Sequence, residues 1–250
     1  MDRLWPPDGT SLQGSEVEAL YEYPRELGRP WVRVNFVSSL DGAVTVGGSS
    51  RGFSGQADRQ VLGLVRDLCD VVLVGAGTAT VEGYRGLRRV ERRTERRRRF
   101  GLTGEVPPVA LVTAQCSIEP GSPLLTDTFV PPVVLTSGAA PEHRRAAVAE
   151  AGADVVVVGE HEVDLAGAVR ALDERGLRRV ACEGGPTLFG SLLGADLVDE
   201  LCLTVAPVLA GGDAGRIANG PNPDDLRGMR LLSALHAESE LLLRYGRDRG

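Results

Sequence analysis

The apolar positions of this chain change their period along its length. From Trp31 to Ser38 they alternate, with Val32, Val34 and Phe36 on one face, which predicts a strand. Ser39-Leu-Asp-Gly42 reads as a turn, because Asp can bond its own backbone and Gly accepts positive φ. Val61, Leu62, Val65 and Leu68 then fall at helical spacing behind Ser54, a candidate N-cap for a helix over 54–68. Residues 70–75 form a buried-type apolar run, 84–105 an arginine-rich connection, and 109–113 the next strand. From Pro132 the rhythm is regular. Strands over 133–136, 154–158, 179–183 and 200–205 alternate with helices over 141–151, 164–175 and 186–193, and Gly152 and Gly176 act as helix stops. Such alternation predicts a largely parallel α/β sheet. Two last runs, 230–235 and 240–245, are too close for a crossover and predict an antiparallel hairpin. The first 30 residues, polar and carrying Pro6, Pro7 and Pro24, are expected to wrap the surface of one domain over 31–250.

Composition narrows the chemistry. A formal net charge of -6 disfavours a general nucleic-acid binder. All 28 basic residues are arginine. Without lysine there is no Schiff-base lysine and no phosphate-loop lysine, which excludes pyridoxal-phosphate and Walker-type chemistry. Cys69, Cys116, Cys182 and Cys202 lack metal or redox spacing and read as reduced thiols of a cytoplasmic protein. The chain shows no signal-peptide pattern and no apolar run of membrane-spanning length. His143, His161 and His236 are isolated and predict no metal site; His236-Ala-Glu238 opens like a zinc deaminase signature but has no downstream cysteine pair.

Two strand ends carry the candidate chemistry. The run ending Gly75-Ala-Gly77-Thr78 is not a full G-x-G-x-x-G, and alone it fits an ordinary strand end as well as a ligand site. Glu183-Gly184-Gly185-Pro186-Thr187 is more telling. Paired glycines let a ligand approach the backbone, Pro186 starts a helix without wasting an N–H, and Thr187 adds a hydroxyl. Together the two ends predict a dinucleotide lying across the carboxyl edge of the sheet. Arg85 and Arg88, close behind the first cluster, could hold a phosphate, whereas most of 85–99 reads as a solvated segment.

Taken in order, Ser39-Leu-Asp-Gly42, the helix from Ser54 into the Asp70–Thr78 run, Glu183-Gly-Gly-Pro-Thr-Leu188, Leu197-Val-Asp-Glu-Leu201, Pro207 and Gly211-Gly212 resemble the pyrimidine reductase family of riboflavin biosynthesis. The resemblance spans roughly 31–245. It implies a dihydrofolate-reductase-like three-layer α/β fold, a mostly parallel central sheet with a C-terminal antiparallel hairpin, a homodimer, and NADPH as cofactor. The implied reaction is hydride transfer to C1′ of a ribosylamino pyrimidine 5′-phosphate. Gly75, Gly77, Thr78, Glu82, Thr113, Gly184, Gly185, Pro186, Thr187 and Leu188 match cofactor positions, and Ser50, Arg66, Leu87, Arg88 and Glu183 match substrate positions. Glu183, or a water held by Asn35 and Asp41, is the candidate for handling the proton.

The chain departs from the family pattern at three places. Asn35 stands where the bifunctional bacterial enzymes carry a lysine, Glu82 where an aspartate is usual, and Gly83-Tyr84 where Asn-Pro is common. These changes leave two other readings open: a same-fold reductase for a dihydrofolate-like or other dihydropterin substrate, or a non-catalytic NADP(H)-binding protein.

Overall fold

The computed structural model describes residues 1–221 and 226–247. Its described strands form one ten-stranded sheet. The strands are β1 (Asp2–Trp5), β2 (Trp31–Ser38), β3 (Val71–Gly75), β4 (Val109–Val112), β5 (Val133–Thr136), β6 (Asp154–Val157), β7 (Arg179–Cys182), β8 (Glu200–Val205), β9 (Met229–Ala237) and β10 (Glu240–Arg247). The helices are α1 (Ser15–Leu20), α2 (Gln56–Leu68), α3 (Ala76–Val81), α4 (Glu91–Arg99), α5 (Pro123–Thr126), α6 (Glu142–Glu150), α7 (Leu165–Glu174) and α8 (Pro186–Gly194).

Across the sheet the order is β1-β9-β10-β8-β2-β7-β3-β4-β5-β6. Pairings from β8 through β2, β7, β3, β4 and β5 to β6 are parallel, and those among β8, β10, β9 and β1 are antiparallel. This is the expected architecture. Alternate residues of the central strands feed two cores. Val72 and Val74 pack with α2 residues Val61, Leu64 and Val65, while Val71 and Leu73 pack with Leu172 of α7 and Leu188 and Leu192 of α8. A strand buried on both faces must be apolar throughout, which is why these runs lack alternation. The tight β9–β10 link places Glu238 and Ser239 at φ 53° and 67°, the twist a two-residue hairpin requires.

Three local expectations change. Residues 1–30 do not merely wrap the surface: β1 pairs with β9, and Leu12, Val17, Tyr21 and Tyr23 are buried in the same core as α2. The second helix starts at Gln56, and Ser54 does not cap it; its hydroxyl turns to the Asp58 carboxylate. Glu240 of β10 takes the cap instead, accepting from the Gly55 N–H at 3.0 Å and the Asp58 N–H at 3.1 Å. The arginine run contains α4, whose charges are used internally. Arg93 and Arg96 bind Asp67, Arg96 and Arg99 bind Glu18, and buried Arg97 donates to the carbonyls of Cys69, Thr103 and Gly104. No helix among the described residues is long and apolar enough to cross a membrane.

Candidate functional site

The carboxyl ends of β2, β7 and β3 open into a cleft with two lobes. One is a cavity of about 270 Å³ lined by Asn35, Phe36, Val44, Ser50, Leu62, Glu82, Tyr84 and Glu183. The other, about 480 Å³, is lined by Gly75, Val112, Ala114, Val163, Thr187, Leu188 and Ser191. Gly77, Thr78, Gly185 and Pro186 line both and form the saddle between them.

Backbone proximity explains the glycines of the saddle. The Gly75 N–H donates to the Gly184 carbonyl at 2.7 Å, tying the end of β3 to the loop after β7. Gly184 has φ +85°, and a Cβ there would lie 2.6 Å from the Phe36 ring. A Cβ on Gly185 would sit 2.2 Å from Thr78 Oγ1. The Gly184–Gly185 peptide is cis. Both α3 and α8 begin at this saddle, and neither start is capped by a side chain. Two helix starts without side-chain caps at this saddle suit the pyrophosphate of a dinucleotide, because their backbone donors and dipoles favour an anion.

Glu183 lies on the floor of the smaller lobe, just past β7. Arg66 of α2 grips it with both arms, Nε to Oε1 at 2.7 Å and Nη2 to Oε2 at 2.6 Å. The Tyr84 hydroxyl donates to Oε2 at 2.6 Å, and the Arg66 guanidinium lies 5.5 Å from the Tyr84 ring centroid. Burial, with Glu183 adding to it, pushes the Tyr84 phenol well above its ordinary pKa, so it stays a donor. Glu183 holds the Arg66 guanidinium more firmly charged than usual, against the opposing effect of burial. Asn35 adds an amide to the same lobe that makes no hydrogen bond among the described residues.

Glu82 closes the lobe on its other side. It accepts from the Ser50 N–H at 2.9 Å and from the hydroxyls of Ser49 and Ser50, and Arg51 pairs with it at 3.3 Å. Burial alone would raise its pKa; these donors outweigh that and lower it. The loop 46–51 is thereby clasped to the end of α3.

The remaining predicted residues lie elsewhere. Asp41 lines neither lobe; its carboxylate accepts from Ser39 Oγ and from the N–H groups of Ala210 (3.1 Å) and Gly211 (2.7 Å), tying two loops together. The Ser39 hydroxyl, then these amides, depress its pKa to about 2. Thr113 is buried, its hydroxyl receiving the Ser117 N–H at 3.1 Å, while its neighbours Val112 and Ala114 line the larger lobe. Leu87 packs against the core. Arg88 and Arg85 share Asp127, at 2.9 and 3.5 Å, and line neither lobe. Tyr84 is the residue that sequence reasoning left out of the site. Its signal was its place directly behind the first glycine helix, where it replaced an expected Asn-Pro.

An open, mostly parallel sheet with a two-lobed, glycine-lined cleft at its carboxyl edge is the architecture that the resemblance to dihydrofolate-reductase-like α/β reductases implies. More particularly, the chain belongs to the RibD C-terminal domain family, which it matches over residues 30–243. It is 32% identical over 200 residues to the 2,5-diamino-6-ribosylamino-4(3H)-pyrimidinone 5′-phosphate reductase of Methanothermobacter thermautotrophicus, covering 79% of this chain and 88% of the relative. The enzyme of the same name from Archaeoglobus fulgidus is 30% identical, with 77% and 87% covered. Among solved structures, a pyrimidine reductase-like protein from Corynebacterium diphtheriae shares the fold with a TM-score of 0.78 at 24% identity, covering 88% of this chain and 93% of that one.

Proposed function

We propose that this chain is a nicotinamide-dependent reductase of riboflavin biosynthesis that uses NADPH. Its substrate on this reading is 2,5-diamino-6-ribosylamino-4(3H)-pyrimidinone 5′-phosphate, the compound in the names of its archaeal relatives. The observation that carries the reading is the divided cleft, with an anion-suited saddle between a lobe lined by Glu183 and Asn35 and a second lobe able to take an adenosine; Arg66 lines neither lobe but holds Glu183.

When bound, a reduced nicotinamide would supply the hydride for C1′ of the substrate's ring-opened imine, leaving the protein to provide the one proton that the imine nitrogen takes up with the C=N electron pair. The protein's part is placement. Gly185, Pro186, Thr187 and Leu188 at the start of α8, with Gly75, Gly77 and Thr78 facing them, are the proposed cofactor residues. Val112 and Ala114 border the adenosine lobe beside Thr113. Glu183 accepts a hydrogen bond from the pyrimidine, and Asn35 orders the water that delivers the proton. Asp41 serves at a distance, by holding the loop after β2 in place. The ribose 5′-phosphate extends toward Arg85 and Arg88, where a dianion competes with Asp127 for largely exposed guanidiniums. A homodimer acting in the cytoplasm completes the proposal.

The test is loss of reduced-nicotinamide absorbance with the diaminopyrimidinone substrate, its deaminated uracil counterpart and dihydrofolate in parallel. Turnover with the diaminopyrimidinone is expected. Turnover with dihydrofolate alone would reassign the substrate, and cofactor binding without any turnover would leave a non-catalytic binding protein.

A further inference from the structure

Glu183 touches three donors, and one of them comes from neither the strand nor the long helix. A carboxylate offers roughly four acceptor sites. Arg66 occupies one on each oxygen, and the Tyr84 hydroxyl takes the second on Oε2. One site remains, on Oε1, in a side chain that lines the cavity. Tyr84 is held in place from its own backbone. Gly83, at φ +63°, turns the chain at the end of α3, and the Tyr84 N–H donates to the Ala79 carbonyl at 2.8 Å. The ring thus borders the cavity while its hydroxyl reaches the carboxylate.

We infer that Tyr84 is a positioning and substrate-selecting residue, clamping Glu183 against Arg66 so that a single Oε1 acceptor site faces a donor of the substrate's pyrimidine. This rests on the reductase reading above. Arg66 alone would fix the plane of the carboxylate but leave Oε2 free to bind water or turn toward a second donor. With Tyr84 in place Oε2 is saturated, and the carboxylate meets the base through one oxygen. Tyr84 is not the source of the catalytic proton, because its hydroxyl proton is already committed to Glu183.

The experiment compares wild type, Tyr84→Phe, Glu183→Gln and the double variant with the ribosylaminopyrimidine phosphate. KM, kcat and NADPH affinity are measured by turnover, and substrate binding by calorimetry. Tyr84→Phe should raise substrate KM about tenfold, the scale of one lost hydrogen bond to a charged group. It should change kcat by less than about twofold and leave NADPH affinity unaltered. The double variant should be no worse than Glu183→Gln, because Tyr84 acts through Glu183. Unchanged KM in Tyr84→Phe, additive losses in the double variant, or an equal loss of NADPH affinity would each overturn the inference. If Tyr84→Phe melts below the assay temperature, 3-fluorotyrosine at position 84 keeps ring and hydroxyl and changes only donor acidity; KM must then move, and an unmoved KM overturns the inference. Wild type that binds the compound without reducing it refutes the reductase reading, and Tyr84 is then judged by calorimetry alone. Wild type that neither binds nor reduces it overturns both.

Discussion

Glu183 and Glu200 are both buried carboxylates locked onto arginine, yet they do opposite work. Glu200, at the start of β8, has no exposed side-chain surface and no unused oxygen. It accepts from Trp31 Nε1 at 3.1 Å and from Arg33 Nη2 at 3.1 Å, and it pairs with Arg33 Nε at 2.9 Å and with Arg244. Glu183, at the end of β7, has a comparable grip from Arg66 and Tyr84 but lies against a cavity with an acceptor site to spare. Burial and charge pairing are common to both, so neither marks function. What distinguishes the site is an unused acceptor site together with space beside it, and those are properties of the sheet's carboxyl end.

That contrast can be broken by mutation. Removing the saturated carboxylate should cost the most stability. Glu200→Ala strands Arg33 and Arg244 in the core and should destabilise the fold by about 3–5 kcal/mol in denaturant titration, with near-normal specific activity in the folded fraction. Glu183→Gln should do the reverse. It should lower kcat/KM by roughly a hundredfold, near 2.7 kcal/mol in transition-state terms, with a smaller loss of stability because Arg66 keeps 29% of its side chain exposed and can hydrate. Similar stability losses in the two variants would show that the clusters are not functionally distinct.

Smaller effects sharpen the comparison. Gly185→Ala places a methyl against Thr78 Oγ1 and should weaken NADPH binding about tenfold in a fluorescence titration, with substrate binding much less changed. Acid tests the saturated Glu200 cluster in a second way. Burial opposes ionisation of Glu200, but Arg33 and Arg244 overcome it and lower its pKa. A depressed carboxylate stabilises the fold fully above the unfolded value, about 4.3, and loses that contribution as pH falls through the folded value. Stability of the wild type should therefore fall on acidification below about pH 4, with a shallower slope in Glu200→Gln. An unchanged slope would show that Glu200 is not what acid titrates.

The regular β-strand and helix rhythm after Pro132 was legible because short apolar runs such as Val133–Thr136 alternate with helices, two of which stop at Gly152 and Gly176. Other elements were not, for a shared reason: their partners are distant in sequence. Nothing in Asp2–Trp5 announces pairing with β9, and the arginines of α4 have no apolar period, since Asp67 and Glu18 hold them from other helices. α3 is only six residues, and Gly77, Thr78, Thr80 and Val81 among them are weak helix formers. In the site, Glu183 and Arg66 were each marked by family resemblance, but their pairing joins residues 117 positions apart and needed the sheet order to be seen. Arg88 was marked by the same resemblance, but its pairing with Asp127, which Arg85 shares, likewise needed the fold to be seen.

All four cysteines are free and buried. Burial pushes the thiols of Cys69, Cys182 and Cys202 up to about 12, and that of Cys116 upward as well. At neutral pH these sulfurs are neither accessible nor thiolate, so the folded chain is inert to disulfide reagents. Cys182 immediately precedes Glu183, and Cys69 lies at the end of the helix that carries Arg66. The chain therefore has its own clock for breathing beneath the cleft: the rate at which an added thiol reagent consumes these sulfurs reports how often that floor opens, and a bound ligand that braces it slows the count.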